Sequence, residues 1–491
     1  MSERNYQVTR MTHIYESAAG VYAYLPIAMG SRESDLVASA IQTLQKIVAD
    51  HNASGRPIHE LVSTVHQRHS LLGGALEEEM ETWNALGRFL NQDWWRRAWV
   101  LQEATAVKQT TILYGGHEIS WFDSEFLVLA IFAFVTHPEV GPSIKELMAL
   151  RDPSLGPQNG LLALRLKRVR KVKLSLLEVL QTLRPLAASD LRDKVYAGLG
   201  LVHDVSTAEV PLDYGVTTGT VYFHVAAHLV QNNRHLDWLE HVSSHHSELP
   251  FPSWIPIWAI PYHRSPMPKR IKGTADSEES VYHADLNLES NDSESGAANP
   301  LATIQGAALS LRGVDFDEII SVTPGAGGGS DTSAERAWMP ANCSDTYQAT
   351  GETIHSAFFR CLTLDVAEVR GTEVVRGAAQ VPLPPPLGDD SFWDRSRYEF
   401  GAHPMKMWTP MRSLAISRQG YMALVPEETA IGDRVVVLVG GCVPYVLRPV
   451  GNDTQEGYRY VGEAYVHGLM DGETARFIGS GVCKVQEIKL V

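Results

Sequence analysis

Between residues 414 and 466 the chain is written in short apolar runs punctuated by glycine, and this limits what it can fold into. Leu414-Ala415-Ile416-Ser417 and Tyr421-Met422-Ala423-Leu424-Val425 flank Arg418-Gln419-Gly420. The run at 434–439, then Gly440-Gly441, then Val443-Pro444-Tyr445-Val446-Leu447-Arg448 repeats the form, and residues 458–466 add one more run. Each run has strand length, and glycine permits the positive φ of a tight hairpin turn. The reading is a C-terminal small β-barrel or sandwich module.

The first part of the chain has a different period. Val8, Met11, Ile14, Tyr15 and Ala18 recur at helical spacing and stripe one face. Val21-Tyr22-Ala23-Tyr24-Leu25, ended by Pro26, reads as a short buried strand. Leu36, Val37, Ala40, Ile41, Leu44, Ile47 and Val48 mark a second amphipathic helix, so the segment is a fragment of an α/β pattern. Residues 51–79 read as loop-rich, and Met80, Trp83, Leu86 and Phe89 open another helical face. Then comes the densest cluster in the chain, Trp94-Trp95-Arg96-Arg97-Ala98-Trp99-Val100-Leu101-Gln102-Glu103. The runs at 110–114 and 118–121, joined by Gly115-Gly116, predict a hairpin.

Residues 121–240 read mostly as helices, with the longest apolar run, 126–135, as a buried one. Six of the nine residues 165–173 are Lys or Arg, which predicts a solvated basic face leading into a helix over 174–183. Residues 273–300, rich in Ser, Asp, Glu and Asn, predict an acidic flexible linker. Residues 325–330 read as a glycine loop and 382–386 as a stiff proline run. The expected organisation is an α/β domain over 1–150, a mostly helical extension over 151–272, the linker over 273–300 and a β-rich module over 301–491.

A chain of 491 residues is too long for one ordinary core. Its net charge of −15 repels phosphate backbones, so nucleic acid is not expected as a partner. Cys343, Cys361, Cys442 and Cys483 are widely spaced and form no CxxC pair, which fits a reducing compartment and gives no zinc-ribbon spacing. The first residues lack an apolar signal region, and no run approaches the roughly 20 residues of a membrane span, so a cytoplasmic location is the expectation. His467, Asp471 and Glu473 lie in a glycine-rich turn, where Asp and Gly are turn formers, and no metal is expected there. His241, His245 and His246 read as exposed. No phosphate loop, HExxH, GxSxG or GxGxxG occurs.

Several blocks resemble one family. Trp95, Arg97, Trp99, Gln102 and Glu103 match, position for position, the W-x-R-x-W-x-x-Q-E block of the fungal heterokaryon-incompatibility (HET) domain, and Gly115, Gly116 and Trp121 follow in place. Residues 3–18 resemble the helix that follows an earlier block of that family. Leu191-Arg192-Asp193-Lys194-Val195-Tyr196-Ala197-Gly198-Leu199-Gly200-Leu201 resembles its PRDKIYALLGL stretch, with Leu191 for proline, and Leu212-Asp213-Tyr214 resembles its DY partner. Pro252-Ser253-Trp254-Ile255-Pro256-Ile257-Trp258 is similar to LPSWVPDW, and Gly432-Asp433, residues 443–448 and 462–473 resemble an accompanying C-terminal module. The family's first block, of the form LSYVWG, has no counterpart, so a partial HET domain is expected, from a shortened member or an incomplete gene model.

The resemblance implies a TIR-like α/β domain and a regulatory role in nonself recognition and cell-death signalling. It also implies a protein partner and self-association at exposed strand edges. Some TIR domains cleave NAD with a glutamate, which makes Glu103 the catalytic candidate and NAD the candidate substrate. Trp95, Arg97, Trp99 and Gln102 are then the candidate ligand-binding residues, with Arg97 forking a phosphate. A role as an accessory protein of a secondary-metabolite pathway is the other enzyme-side alternative. Against both stands plain packing: Trp95 and Trp99, four apart, on one helical face, with Arg97 and Glu103 as ion pairs and caps.

Overall fold

The computed structural model describes residues 3–54, 76–106, 110–120, 157–206, 208–233, 235–242, 251–260, 267, 270–272, 278–285, 302–325, 337–370, 373–376, 408–452 and 455–491. The apolar run 126–135 and the proline run 382–386 lie outside them. Internal contacts divide the chain into two units, Met1–Val221 with Trp258–Pro261, and Tyr222–Ile257 with Tyr262–Val491.

The first unit is α/β. Helix α1 (Glu3–Ser17) leads to strand β1 (Val21–Leu25), followed by α2 (Arg32–Ala53), α3 (Leu76–Leu90) and α4 (Val100–Ala104). Strand β2 (Thr110–Tyr114) then lies parallel to β1 and antiparallel to β3 (His117–Ser120), in the order β1-β2-β3. The region read as loop-rich is helical at both its margins, because α2 runs to Ala53 and α3 begins at Leu76. The β2–β3 turn uses Gly115 and Gly116 at φ +58° and +94°. Gly115 is required twice over, since a Cβ there would meet Ser34 at 2.3 Å. Strand β1 alternates buried and exposed: Val21, Ala23 and Leu25 face the core, while Tyr22 and Tyr24 face out. Helices α5 (Pro157–Val169), α6 (Leu176–Leu183) and α7 (Asp193–Leu199) complete the unit. A capping box fixes the start of α6, in which Ser175 accepts from the Glu178 N–H and Glu178 reaches back. One core joins Leu25, Ile112 and Tyr114 of the sheet to Ile41, Phe89, Trp95, Leu164 and Leu183 of the helices.

Helix α8 (Thr218–Asn232) leads into the second unit. There β4 (Arg270–Lys272) pairs with β5 (Glu278–Ser280), and β6 (Ala302–Gln305) pairs with the long β7 (Ala308–Thr323). Helix α9 (Ile354–Leu362) and the hairpin β8 (Val366–Arg370) and β9 (Glu373–Arg376) follow. Next come β10 (Arg412–Ser417), β11 (Met422–Pro426), β12 (Arg434–Leu438), β13 (Tyr445–Asn452), β14 (Gln455–Glu463), β15 (Tyr465–Val466), α10 (Thr474–Gly479) and β16 (Gln486–Leu490).

Of the two C-terminal forms expected, the barrel is the one found. Strand β12 pairs with β13, β13 with β14, β14 with β16, β16 with β7, and β7 with β12, which closes a five-stranded ring. Beyond the ring, β7 pairs with β10, and β10-β11-β15 extends the sheet. Register shifts at Val435/Val436 and Ile416/Ser417 mark bulges, the device that bends strands around a small barrel. The core holds Val314, Phe316, Val435, Val437, Val446 and Val461. The linker expected at 273–300 is corrected over its described part. Tyr282 and Ala284 are fully buried, and the Tyr282 hydroxyl donates to the Leu364 carbonyl at 2.7 Å, so an aromatic and an alanine anchor a segment whose composition reads as polar.

Candidate functional site

The Trp/Arg/Gln/Glu block is not one helix. Asp93–Arg96 is a 3-10 turn, the backbone extends at Arg97, and α4 starts at Val100 with Trp99 in its N-cap position. The extension exists because Arg97 bridges in parallel to Ala187, whose carbonyl accepts the Ala98 N–H at 2.8 Å. Trp95 and Trp99 therefore sit on different elements, not on one helical face. Trp95 is fully buried, donates its indole N–H to the Phe89 carbonyl at 2.9 Å, and meets the Trp94 and Phe89 rings edge-on. Trp99 is half-buried against the same core. Gln102 is buried, and its amide donates to the Ala197 carbonyl at 3.0 Å.

Arg97 is the exposed member of the block, and Glu103, like Trp99, is partly open to solvent. Glu103 is half-buried, and its carboxylate accepts the Trp94 indole N–H at 2.9 Å. The Tyr15 hydroxyl lies beside Glu103. Burial, then the Glu103 carboxylate, push Tyr15 up to about 12, against the opposing charge of Arg97. Arg97 is exposed and makes no ion pair among the described residues. The site is thus a patch of Tyr15, Trp94, Arg97 and Glu103. The Tyr15 contact was missed in the sequence because Tyr15 entered it only as one residue of an apolar stripe.

The basic face expected at 165–173 is corrected for its first residues. Arg165 is buried and donates to the carbonyls of Ala104, at 3.0 Å, and Ala106, while Arg168 donates to the Thr105 carbonyl at 2.7 Å and pairs with Glu16 at 2.6 Å. These carbonyls end α4, where a helix leaves acceptors unsatisfied and a negative dipole end. Burial, with the Arg168 charge second, lowers Arg165 to about 10.

The Arg192-Asp193-Lys194 stretch is likewise structural. Arg192 donates to the carbonyls of Tyr214 and Val216 at 2.6 and 2.7 Å, and Asp193 accepts the Tyr214 hydroxyl. Lys194 caps the end of α6 through the carbonyls of Arg184, at 2.9 Å, and Leu186. From α1, Asn5 reaches Asp213 at 3.1 Å and Arg4 lies 3.5 Å over the Tyr214 ring.

In the second unit His467 is buried. Its Nε2 lies 2.7 Å from Glu352, its Nδ1 lies 3.0 Å from the Tyr465 hydroxyl, and its ring stacks on Tyr347. Burial alone would raise Glu352, but hydrogen bonds from His467, Ser356 and Thr350 outweigh it and hold the carboxyl well below the usual range. His241, expected to be exposed, is buried and paired with Glu240 at 3.0 Å. Among the described residues no group of His, Cys, Asp and Glu is arranged to hold a metal, and no helix is long and apolar enough to cross a membrane.

Comparison with known proteins matches this architecture. A family described as heterokaryon incompatibility protein (HET) matches residues 1–103, ending on Glu103, and a Het-6 beta-barrel domain matches residues 398–478. Heterokaryon incompatibility protein 6, OR allele, of Neurospora crassa is 23% identical, over 96% of this chain and 79% of that protein. No solved structure matches. The Trp/Arg/Gln/Glu block on its α/β unit thus lies in a HET domain at the N-terminus, the second unit carries a Het-6 barrel, and the chain is similar over most of its length to a heterokaryon incompatibility protein.

Proposed function

We propose that this protein acts in fungal nonself recognition, with the HET domain, in a TIR-like role, signalling cell death and the barrel unit contacting the protein partner that triggers it. The observation that carries the reading is how the family block is used. Trp95 and Gln102 are spent inside the core, and the block meets solvent as the Tyr15, Arg97 and Glu103 patch. That arrangement supports signalling through a surface. The kinship with a heterokaryon incompatibility protein supports the biological setting. The test is expression in a fungal strain, with fused hyphae scored for growth and for uptake of a vital dye. Arrested growth and dye uptake are expected with the wild type and not with Arg97→Glu. Growth equal to an empty-vector control, with the chain accumulating, overturns the reading.

A second reading is NAD cleavage, and one observation favours it. The Glu103 carboxylate accepts the Trp94 indole N–H near solvent, with the Tyr15 hydroxyl beside it. NAD loss followed directly with purified wild type and Glu103→Gln tests it. Loss in the first and not the second supports Glu103 as catalytic acid, and no loss in either removes this reading.

A further inference from the structure

We propose that strand β1 is the seam of a homodimer, in which the edges of two copies pair antiparallel across a two-fold axis at Ala23. Among the described residues β1 has a neighbour on one side only, β2. A strand edge that pairs with nothing presents backbone donors and acceptors to any second strand, and natural edges are guarded by charges, bulges or proline. Here the guards are missing along the strand. No charged residue occurs between Glu16 and Arg32, and Pro26 only marks the end of the ladder. A chain of net charge −15 thus offers a neutral seam on which a second copy meets no like charge.

The sequence of β1 says which partner fits. Val21-Tyr22-Ala23-Tyr24-Leu25 is close to a palindrome. A closed two-fold interface brings residue i opposite j and j opposite i. With Ala23 on the axis, Tyr22 of one copy faces Tyr24 of the other twice over, and Val21 faces Leu25. The faces agree as well as the residues. Tyr22 and Tyr24 are 68% and 67% exposed on the outer face, while Val21, Ala23 and Leu25 point to the core. A two-fold perpendicular to the sheet keeps each face on its own side. The product is one six-stranded sheet, β3-β2-β1 joined to its copy, with four tyrosines in cross-strand contact on one surface. Aromatic cross-strand pairs of this kind stabilise a sheet.

The experiment is sedimentation of the full chain over a wide concentration range. The wild type is expected at twice the 54.2 kDa of one chain. Tyr22→Glu with Tyr24→Glu sets like charges opposite each other and is expected to give the single-chain mass. Tyr22→Lys with Tyr24→Glu sets opposite charges across the same axis and is expected to restore the dimer. Both tyrosines are mostly solvated in the single chain, so all three proteins should share one circular dichroism spectrum. A wild type that stays at the single-chain mass throughout overturns the proposal. So does a dimer that the Glu/Glu variant leaves intact, and so does a Lys/Glu variant no more associated than the Glu/Glu one.

Discussion

His467 is enclosed by two tyrosine rings and one carboxylate, and that carboxylate sets how this part of the barrel unit responds to acid. Glu352 is held below the ordinary carboxylate range in the folded state. A carboxyl depressed in this way contributes stability above its unfolded pKa of about 4.3, and the contribution is lost as pH falls towards the folded value. The urea midpoint of the wild type is therefore expected to drop between about pH 5 and about pH 2. Glu352→Gln should be about 1–3 kcal/mol less stable at neutral pH, because charge-assisted bonds are lost, and should show a shallower slope below pH 5. Equal slopes would mean that Glu352 is not the titrating group. At the same scale the Trp/Arg/Gln/Glu block divides by direction. Trp95 and Gln102 point inward and act on stability, whereas Arg97 and Glu103 are placed to act on something outside the core.

Elements whose signals are local were legible in the sequence. The apolar and aromatic run of β1 ended by Pro26, the glycines of the β2–β3 turn and the spacing of Met80, Trp83, Leu86 and Phe89 each specify their element without help from elsewhere, although the run read as buried and the structure leaves Tyr22 and Tyr24 exposed. The same holds for the β10–β11 hairpin. Strand β7 was not legible, because Arg312, Asp315, Asp317 and Glu318 obscure its alternation. Those charges are satisfied by partners far along the chain, Arg434 on Asp315 at 2.8 Å and Arg418 on Glu318 at 2.7 Å. The site divides in the same way. The block from Trp95 to Glu103 could be read directly, but Tyr15 beside Glu103 and Arg165 beneath α4 depend on chain closure over long separations. The basic stretch supplies a test at this scale. Arg165→Met leaves the Ala104 and Ala106 carbonyls buried without this donor and is expected to cost about 1–3 kcal/mol for each. The exposed Arg170→Ala should stay within about 0.5 kcal/mol. Urea melts of the two variants decide whether the stretch is a structural cap or a solvated face.

At the scale of the molecule, the ring depends on β16. It pairs with β7 from Leu309 to Gly313 and meets β14 at Tyr458, and its Ile488 and Leu490 are fully buried. A chain stopped after Val485 should lose the closed barrel, exposing apolar surface to a hydrophobic dye and losing near-ultraviolet circular dichroism. The milder Ile488→Ala should cost about 2–5 kcal/mol, a large share of the stability of an ordinary domain. An unchanged melting curve for the truncated chain would show that the ring is not what holds this unit together.

The reliance of β7 on β16 also fixes an order of events on the ribosome. The elements from α1 to α7 are all made before β7 emerges, so the first unit has these strands and helices in hand early. Strand β7 must then wait with an open edge while everything up to β16 is translated. Domains fold as units during synthesis, and unpaired edges are where nascent chains go astray. A premature stop between β7 and β16 would therefore release a first unit with its strands and helices already made, tethered to a barrel that cannot close.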